Sequence, residues 1–157
     1  MKNEFTYISE FINQIDVCCP NCGSKSVVKS DANNRNNTRF ICSKCGKSKI
    51  WNGQSSTYYY SNNYKESEGI LIGHPVDCYF KYPLWYTKQI KNQTLFAYNK
   101  EHLNFLEEYI NDSIRERRQG EYGWKNTSLE SRLPKWLLLS KNREVILKAI
   151  KEIKEIN

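Results

Sequence analysis

Cys19-Pro20-Asn21-Cys22-Gly23 and Cys42-Ser43-Lys44-Cys45-Gly46 are set so that nineteen residues lie between Cys22 and Cys42. Each is a Cys-x-x-Cys pair followed by glycine. A two-residue gap lets one tight turn present two sulfurs to one ion, and two such turns complete a tetrahedral set around zinc. The glycine after each second cysteine suits a backbone that must turn with positive φ. Four protein ligands leave no coordination position for water, so the spacing predicts one structural Zn²⁺ rather than a catalytic one. Cys18 is the single ambiguity beside the set, because Cys19-Pro-x-Cys22 fits the knuckle and Cys18 does not.

Charge is the second chemical signal. The chain of 157 residues carries a formal net charge of +7. Between Val17 and Gly53 the basic residues Lys25, Lys29, Arg35, Arg39, Lys44, Lys47 and Lys49 face one acid, Asp31, a net +6. Four thiolates around Zn²⁺ bring the segment to about +4. Such a field attracts phosphates, and these seven residues are the candidate nucleic-acid contacts. The competing explanation is that lysines compensate a dianionic metal core.

The remaining reactive residue types nominate less. Phe40 and Trp51 beside Lys and Arg fit base stacking, or the ribbon's own core. Tyr58, Tyr59, Tyr60 and Tyr64 fit stacking, a protein anchor, or attachment of a linker to the rest of the chain. His74 and Cys78 have the spacing of half a metal site, but a buried, inert Cys78 accounts for them as well. His102 sits at helical spacing with Phe105, Leu106 and Tyr109 and reads as packed or capping. Arg115, Arg117 and Arg118 suit either phosphate or a helix C-terminus. Glu144, Lys148, Lys151, Glu152 and Glu155 form i, i+4 pairs of a solvated face. The chain has no phosphate-binding glycine loop, nucleophile elbow or His-Glu-x-x-His helix, and no residue is assigned a catalytic role.

The elements that must hold these residues divide the chain into four parts. In residues 1–16, Phe5, Ile8, Phe11, Ile12 and Ile15 predict a short amphipathic helix. Residues 17–53 hold the cysteines, with strands at Val27-Val28, Arg39-Phe40-Ile41 and Lys49-Ile50-Trp51. Residues 54–68 read as a polar, Tyr-rich linker, poorly ordered alone. Residues 69–157 predict a β-hairpin across 84–98, then two or three helices. One helix is expected from about Lys100 to Arg118 with Asn99 as N-cap, a short one carries Trp136, and the last runs from about Asn142 to Ile156. The fold class is therefore α+β.

The four cysteines, with CPNCGS leading through the basic Arg39-Phe40 strand into CSKCGK, resemble the zinc-ribbon superfamily over about residues 17–53. That resemblance implies a three-stranded fold around one structural zinc. A weaker resemblance is to uncharacterised bacterial proteins that join a ribbon to a helical tail. It is carried by Leu95-Phe96-Ala97-Tyr98-Asn99, Glu101-His102-Leu103, Ser131-Arg132-Leu133-Pro134-Lys135-Trp136 and Lys141-Asn142-Arg143. It implies a bacterial or phage setting and no activity. With no apolar run of membrane-spanning length and no signal-peptide layout, the expected location is the cytoplasm. The expected role is non-catalytic nucleic-acid binding, to DNA or RNA, by an accessory or regulatory factor of transcription, a mobile element or a phage. The alternative is an adaptor that docks on a larger protein through the ribbon and tail helices.

Overall fold

The structure is a computed structural model and describes residues 11–31, 37–51, 56–60, 63–67, 74–112 and 133–156. It is a mixed α+β arrangement. Strands β1 (Gln14–Cys18), β2 (Lys25–Lys29), β3 (Arg39–Ile41) and β4 (Ser48–Ile50) form one antiparallel sheet in chain order. The metal-ligand segment thus has four strands rather than three. The added strand, β1, corrects the helical reading of residues 1–16 at its C-terminal end. Residues 1–10 lie outside the described residues. The 3–4 spacing of Phe11, Ile12 and Ile15 competes with a two-residue alternation of Ile15 and Val17. Alternation prevails because both side chains are fully buried on one side of the sheet.

Strands β5 (Ser56–Tyr60) and β6 (Asn63–Ser67) form a two-stranded hairpin, with Tyr59 opposite Tyr64. The expected linker therefore contains regular structure. Its runs of Thr and Tyr have strand propensity, which the polar average of the segment conceals. Strands β7 (Tyr86–Ile90) and β8 (Gln93–Ala97) form the anticipated second hairpin, with Lys91 in the left-handed region at φ 53°.

Helices α1 (Lys100–Asn111), α2 (Lys135–Leu138) and α3 (Arg143–Glu155) complete the fold. Asn99 caps α1, its side chain accepting from His102 N at 2.8 Å. The helix ends seven residues short of Arg118, because Asp112 is extended at ψ 110° and closes it. Arg115, Arg117 and Arg118 lie outside the described residues. Helix α1 packs on β8 and α3, and α3 on β7. This core contains Leu95, Leu103, Leu106, Ile110, Ile146 and Ile150. On the rim Glu152 pairs with Lys88 of β7, and Lys154 with Glu107 of α1. Solvent screens these half-exposed pairs, so they add little to stability.

The four-stranded sheet does not close its core alone. Ile15, Val17, Val28 and Phe40 pack with Tyr79, Phe80, Leu84 and Tyr98. Strand β1 is shared: Val17 bridges Leu84, Cys18 N donates to Pro83 O, Trp85 N to Asp16 O and Asp16 N to Tyr98 O. Asn99 adds a clamp, its Nδ2 donating to Phe11 O at 2.7 Å and Gln14 O at 2.8 Å. Residues 77–82 are knotted around Asp77. Its Oδ1 accepts from Tyr79 N and Phe80 N, its Oδ2 from Tyr82 N, and its own N–H donates to Tyr82 O. Lys81 follows at φ 61° and donates from Nζ to Tyr79 O. The knot sets Tyr79 edge-on to Trp51 at 5.1 Å and Tyr82 edge-on to Phe40 at 5.0 Å. Replacing Asp77 with Ala leaves three backbone donors without their acceptor. A loss of about 3 kcal/mol is expected in urea unfolding at pH 7.

His102 is buried between the Phe11 and Tyr98 rings, at centroid distances of 5.0 and 5.4 Å, and its Nδ1 accepts from Tyr98 N. Burial lowers its pKa from 6.5 to about 4. The unfolded chain therefore takes up this proton first as the pH falls. The stability held by neutral His102 is complete above pH 6.5 and is lost as the pH falls through 4, by about 3 kcal/mol in all. Burial raises Asp77 to about 6, against three N–H donors, so its protonation acts in the opposite sense over pH 6 to 4. The stability difference between the wild type and His102→Gln should shrink by about 3 kcal/mol from pH 7 to pH 4, measured by denaturant unfolding.

Candidate metal centre and the basic face around it

Cys19 follows β1 directly and Cys42 follows β3, so each strand end delivers one sulfur and the next turn delivers a second. The two turns repeat one backbone pattern. Gly23 N donates to Cys19 O at 2.9 Å and Cys19 N to Ser24 O at 2.8 Å. Gly46 N donates to Cys42 O at 3.0 Å and Cys42 N to Lys47 O at 2.8 Å. Both turns need positive φ, 75° at Gly23 and 79° at Gly46, where a Cβ would strain the backbone.

The four sulfurs lie within 4.8 Å of one another. Cys19 Sγ is 3.7 Å from Cys45 Sγ, and Cys22 Sγ is 3.6 Å from Cys42 Sγ. Tetrahedral bonds of about 2.3 Å place sulfurs about 3.8 Å apart, the spacing of these two pairs. The arrangement is compatible with a zinc-binding ribbon. Cys19 and Cys42 are buried, while Cys22 and Cys45 face solvent. The Cys45 N–H, and next the Ser26 hydroxyl, lower the Cys42 pKa to about 6. Asn21 N is directed at Cys19 Sγ at 3.4 Å. N–H groups aimed at sulfur favour the thiolate, which is the metal-binding form.

Cys18 stands apart from the quartet, its Sγ 3.8 Å from Leu84 O, and burial raises its pKa. Cys78 is fully buried. Among the described residues, the four-cysteine group is the only cluster of three or more His, Cys, Asp or Glu side chains close enough to hold an ion.

Strand register sorts the candidate basic residues. Lys29 and Arg39 are direct cross-strand partners, and Arg39 in turn faces Ile50. This row lies on the outward side of the sheet and is exposed throughout. Lys49 is instead opposite Phe40, in the row of Ile15 and Val28 that lines the core, so its side chain belongs to the other face. Lys25 is on the outward side, but its Nζ donates to Tyr86 Oη at 3.0 Å and lies over the Tyr86 ring. Burial raises the neighbouring Asp16 pKa, and Lys25 pulls it back. Lys44 and Lys47 are exposed in the second knuckle. Arg35 lies outside the described residues.

The aromatic candidates divide too. Phe40 has no exposed surface, and Trp51 packs against Tyr79, so both serve the core rather than a stacking surface. The side chains of Tyr58, Tyr59, Tyr60 and Tyr64 lie outside the described residues. Asp77, the Asn99 clamp and Tyr86 escaped sequence reasoning because their partners are backbone groups or residues distant in the chain. Only the Asp77-Cys78-Tyr79 start of a tight turn carried a local signal.

The quartet should bind one metal ion per chain. Cys18→Ser should keep that stoichiometry and Cys42→Ser should abolish it, as read by elemental analysis of protein prepared without chelator. Stripping the metal should remove amide-exchange protection from β1–β4 and, through the shared core, from residues 76–84. Amides of α1 and α3 should keep theirs. No protein-family model, curated protein or solved structure matches the chain, so the functional argument rests on the four sulfurs and the charges arrayed around them.

Proposed function

We propose that the protein is a non-catalytic zinc protein that binds nucleic acid through the outward face of its four-stranded sheet. An all-thiolate tetrahedral set suits zinc, and four protein ligands leave no site for a reacting water. The ion then acts as a structural tie. The observation that carries the reading is the opposed pair Lys29 and Arg39 on a face fastened at one end by the metal knuckles, where Lys44 and Lys47 are also exposed. Cations held at fixed spacing on a rigid sheet neutralise phosphates and release counterions. The described residues include no helix long and apolar enough to cross a membrane.

One observation favours a second reading, an adaptor. Ile41 is 40% exposed and Ile50 62%, both on the outward side of the sheet. An apolar centre with a basic rim suits a protein partner that carries carboxylates. The two readings separate by salt. Counterion release makes nucleic-acid affinity fall steeply with ionic strength, whereas an interface built on buried isoleucines holds.

The test is a salt titration of the zinc-loaded chain against single- and double-stranded DNA and RNA. Four phosphate contacts give a log–log slope of about −3.6 on duplex DNA, so affinity should fall about 150-fold from 50 to 200 mM salt. Reversing Lys29 and Arg39 together to Glu should weaken binding more than tenfold on every sequence, and Lys49→Ala should change it little. Undetectable binding to all four at 50 mM salt would overturn the proposal.

A further inference from the structure

The outward side of the sheet runs on past the cationic pair. Gln14 of β1 stands opposite Lys29, and Lys29 opposite Arg39, so one exposed row crosses three strands. Asp16 lies on the same side, two residues further along β1. Trp85 is fastened alongside, its N–H donating to Asp16 O at 2.9 Å. The start of α1 is held close by Asn99, whose side chain donates to Gln14 O. These elements meet around a cavity of about 610 Å³. Among the described residues it is lined on the strand side by Gln14, Asp16, Lys25, Trp85 and Tyr86, and on the helix side by Lys100 and Glu101. Its size falls within the range of roughly 300–1,000 Å³ typical of small-ligand sites.

The lining suits a neutral ring better than a phosphate. Asp16 and Glu101 balance Lys25 and Lys100, so the cavity has no formal net charge beside a face that is basic. Tyr86 is a buried wall, its hydroxyl accepting from Lys25 Nζ. Trp85 packs against the helical core and keeps part of its surface exposed, which offers a base a stacking partner. An ionised carboxylate only accepts, and its two oxygens match two parallel N–H donors. Among the common bases, guanine alone presents two neighbouring donors on its pairing edge, N1–H and N2–H, with O6 beside them for a lysine. Adenine and cytosine set one amino donor beside a ring acceptor, and thymine and uracil one N–H between two carbonyls. Each of these turns a lone pair toward a carboxylate oxygen. Resting on the nucleic-acid reading above, we infer that the cavity takes an unpaired guanine, with Trp85 stacked on the ring, Asp16 accepting from N1–H and N2–H, and Lys29 at the adjoining phosphate.

The test uses the full, zinc-loaded chain and fluorescence anisotropy. The probes are thymine oligodeoxynucleotides of about six nucleotides, unsubstituted or carrying one central guanine, adenine or cytosine. The guanine probe should bind at least about fivefold tighter than the other three, the worth of one bidentate contact. That ratio should hold from about 50 to 200 mM NaCl while the affinity of every probe falls, because the pocket contact releases no counterions. Asp16→Asn, similar in shape, should erase the ratio without weakening the thymine probe and with one metal ion per chain retained. If that variant loses its metal, the wild-type ratio alone decides. Guanosine monophosphate as competitor identifies the source. Displacement at concentrations comparable to the guanine oligonucleotide assigns the cavity to a free nucleotide, and displacement by the oligonucleotide alone assigns it to a base within a strand; both support guanine recognition. Equal binding of the four probes, preference for another base, or a guanine preference that persists in Asp16→Asn overturns the inference and leaves phosphate binding by the outward face standing. Binding of no probe and no nucleotide overturns both.

Discussion

Convergence of four sulfurs within 4.8 Å is the constraint on which the sheet depends. Strands β3 and β4 have three residues each, too few to make a stable ribbon by backbone pairing alone. The knuckles join the ends of β1 and β2, and of β3 and β4, and bring their four sulfurs to one place, where a single ion would tie the two joints together. Each turn reaches the required shape through the same two backbone hydrogen bonds and one left-handed glycine. Within each knuckle a further N–H is directed at sulfur, that of Asn21 at Cys19 and that of Cys45 at Cys42, and favours the thiolate.

The cysteine knuckles account for one end of the sheet, and the rest of the chain accounts for its inner face. Phe40, at the centre of β3, is covered by Phe80 and Tyr82, which the Asp77 knot holds in position. Strand β1 lends one edge to β2 and the other to residues 83–85 and Tyr98. Asn99 caps α1 and holds the entry to β1 with the same side chain. The helical core and the metal-ligand sheet are therefore linked through hydrogen bonds as well as packing. The Asp77 loop and the sheet complete one core.

The same packing sets the electrostatics. With the inner face closed by aromatic rings, charged side chains of β2 and β3 fall on the outward face. Lys25 is drawn toward Tyr86 and Asp16, while Lys29 and Arg39 remain opposed and exposed. Isoleucines between cations give the face a dual character, apolar and basic at once.

Much was legible from local spacing. The cysteine knuckles, the glycines that follow them, the β7–β8 hairpin, the Asn99 cap and the last helix all depend on residues a few positions apart. The amino-acid pattern alone determined the cysteine cluster, the α+β class and the order of most elements. Other features were decided only in three dimensions. Residue 15 follows helical spacing in the sequence and strand alternation in the fold, because burial against distant residues selects the period. Lys29, Arg39 and Lys49 are alike in a charge count, yet register with Phe40 sends Lys49 to the other face. Phe40 and Trp51 resemble stacking residues until Tyr79, Phe80 and Tyr82 arrive from about thirty to forty residues downstream to cover them. The cysteine cluster was readable because each Cys-x-x-Cys knuckle is a local turn. The face beside them was not, because the side of a sheet to which a residue belongs is set by pairing between strands remote in the chain.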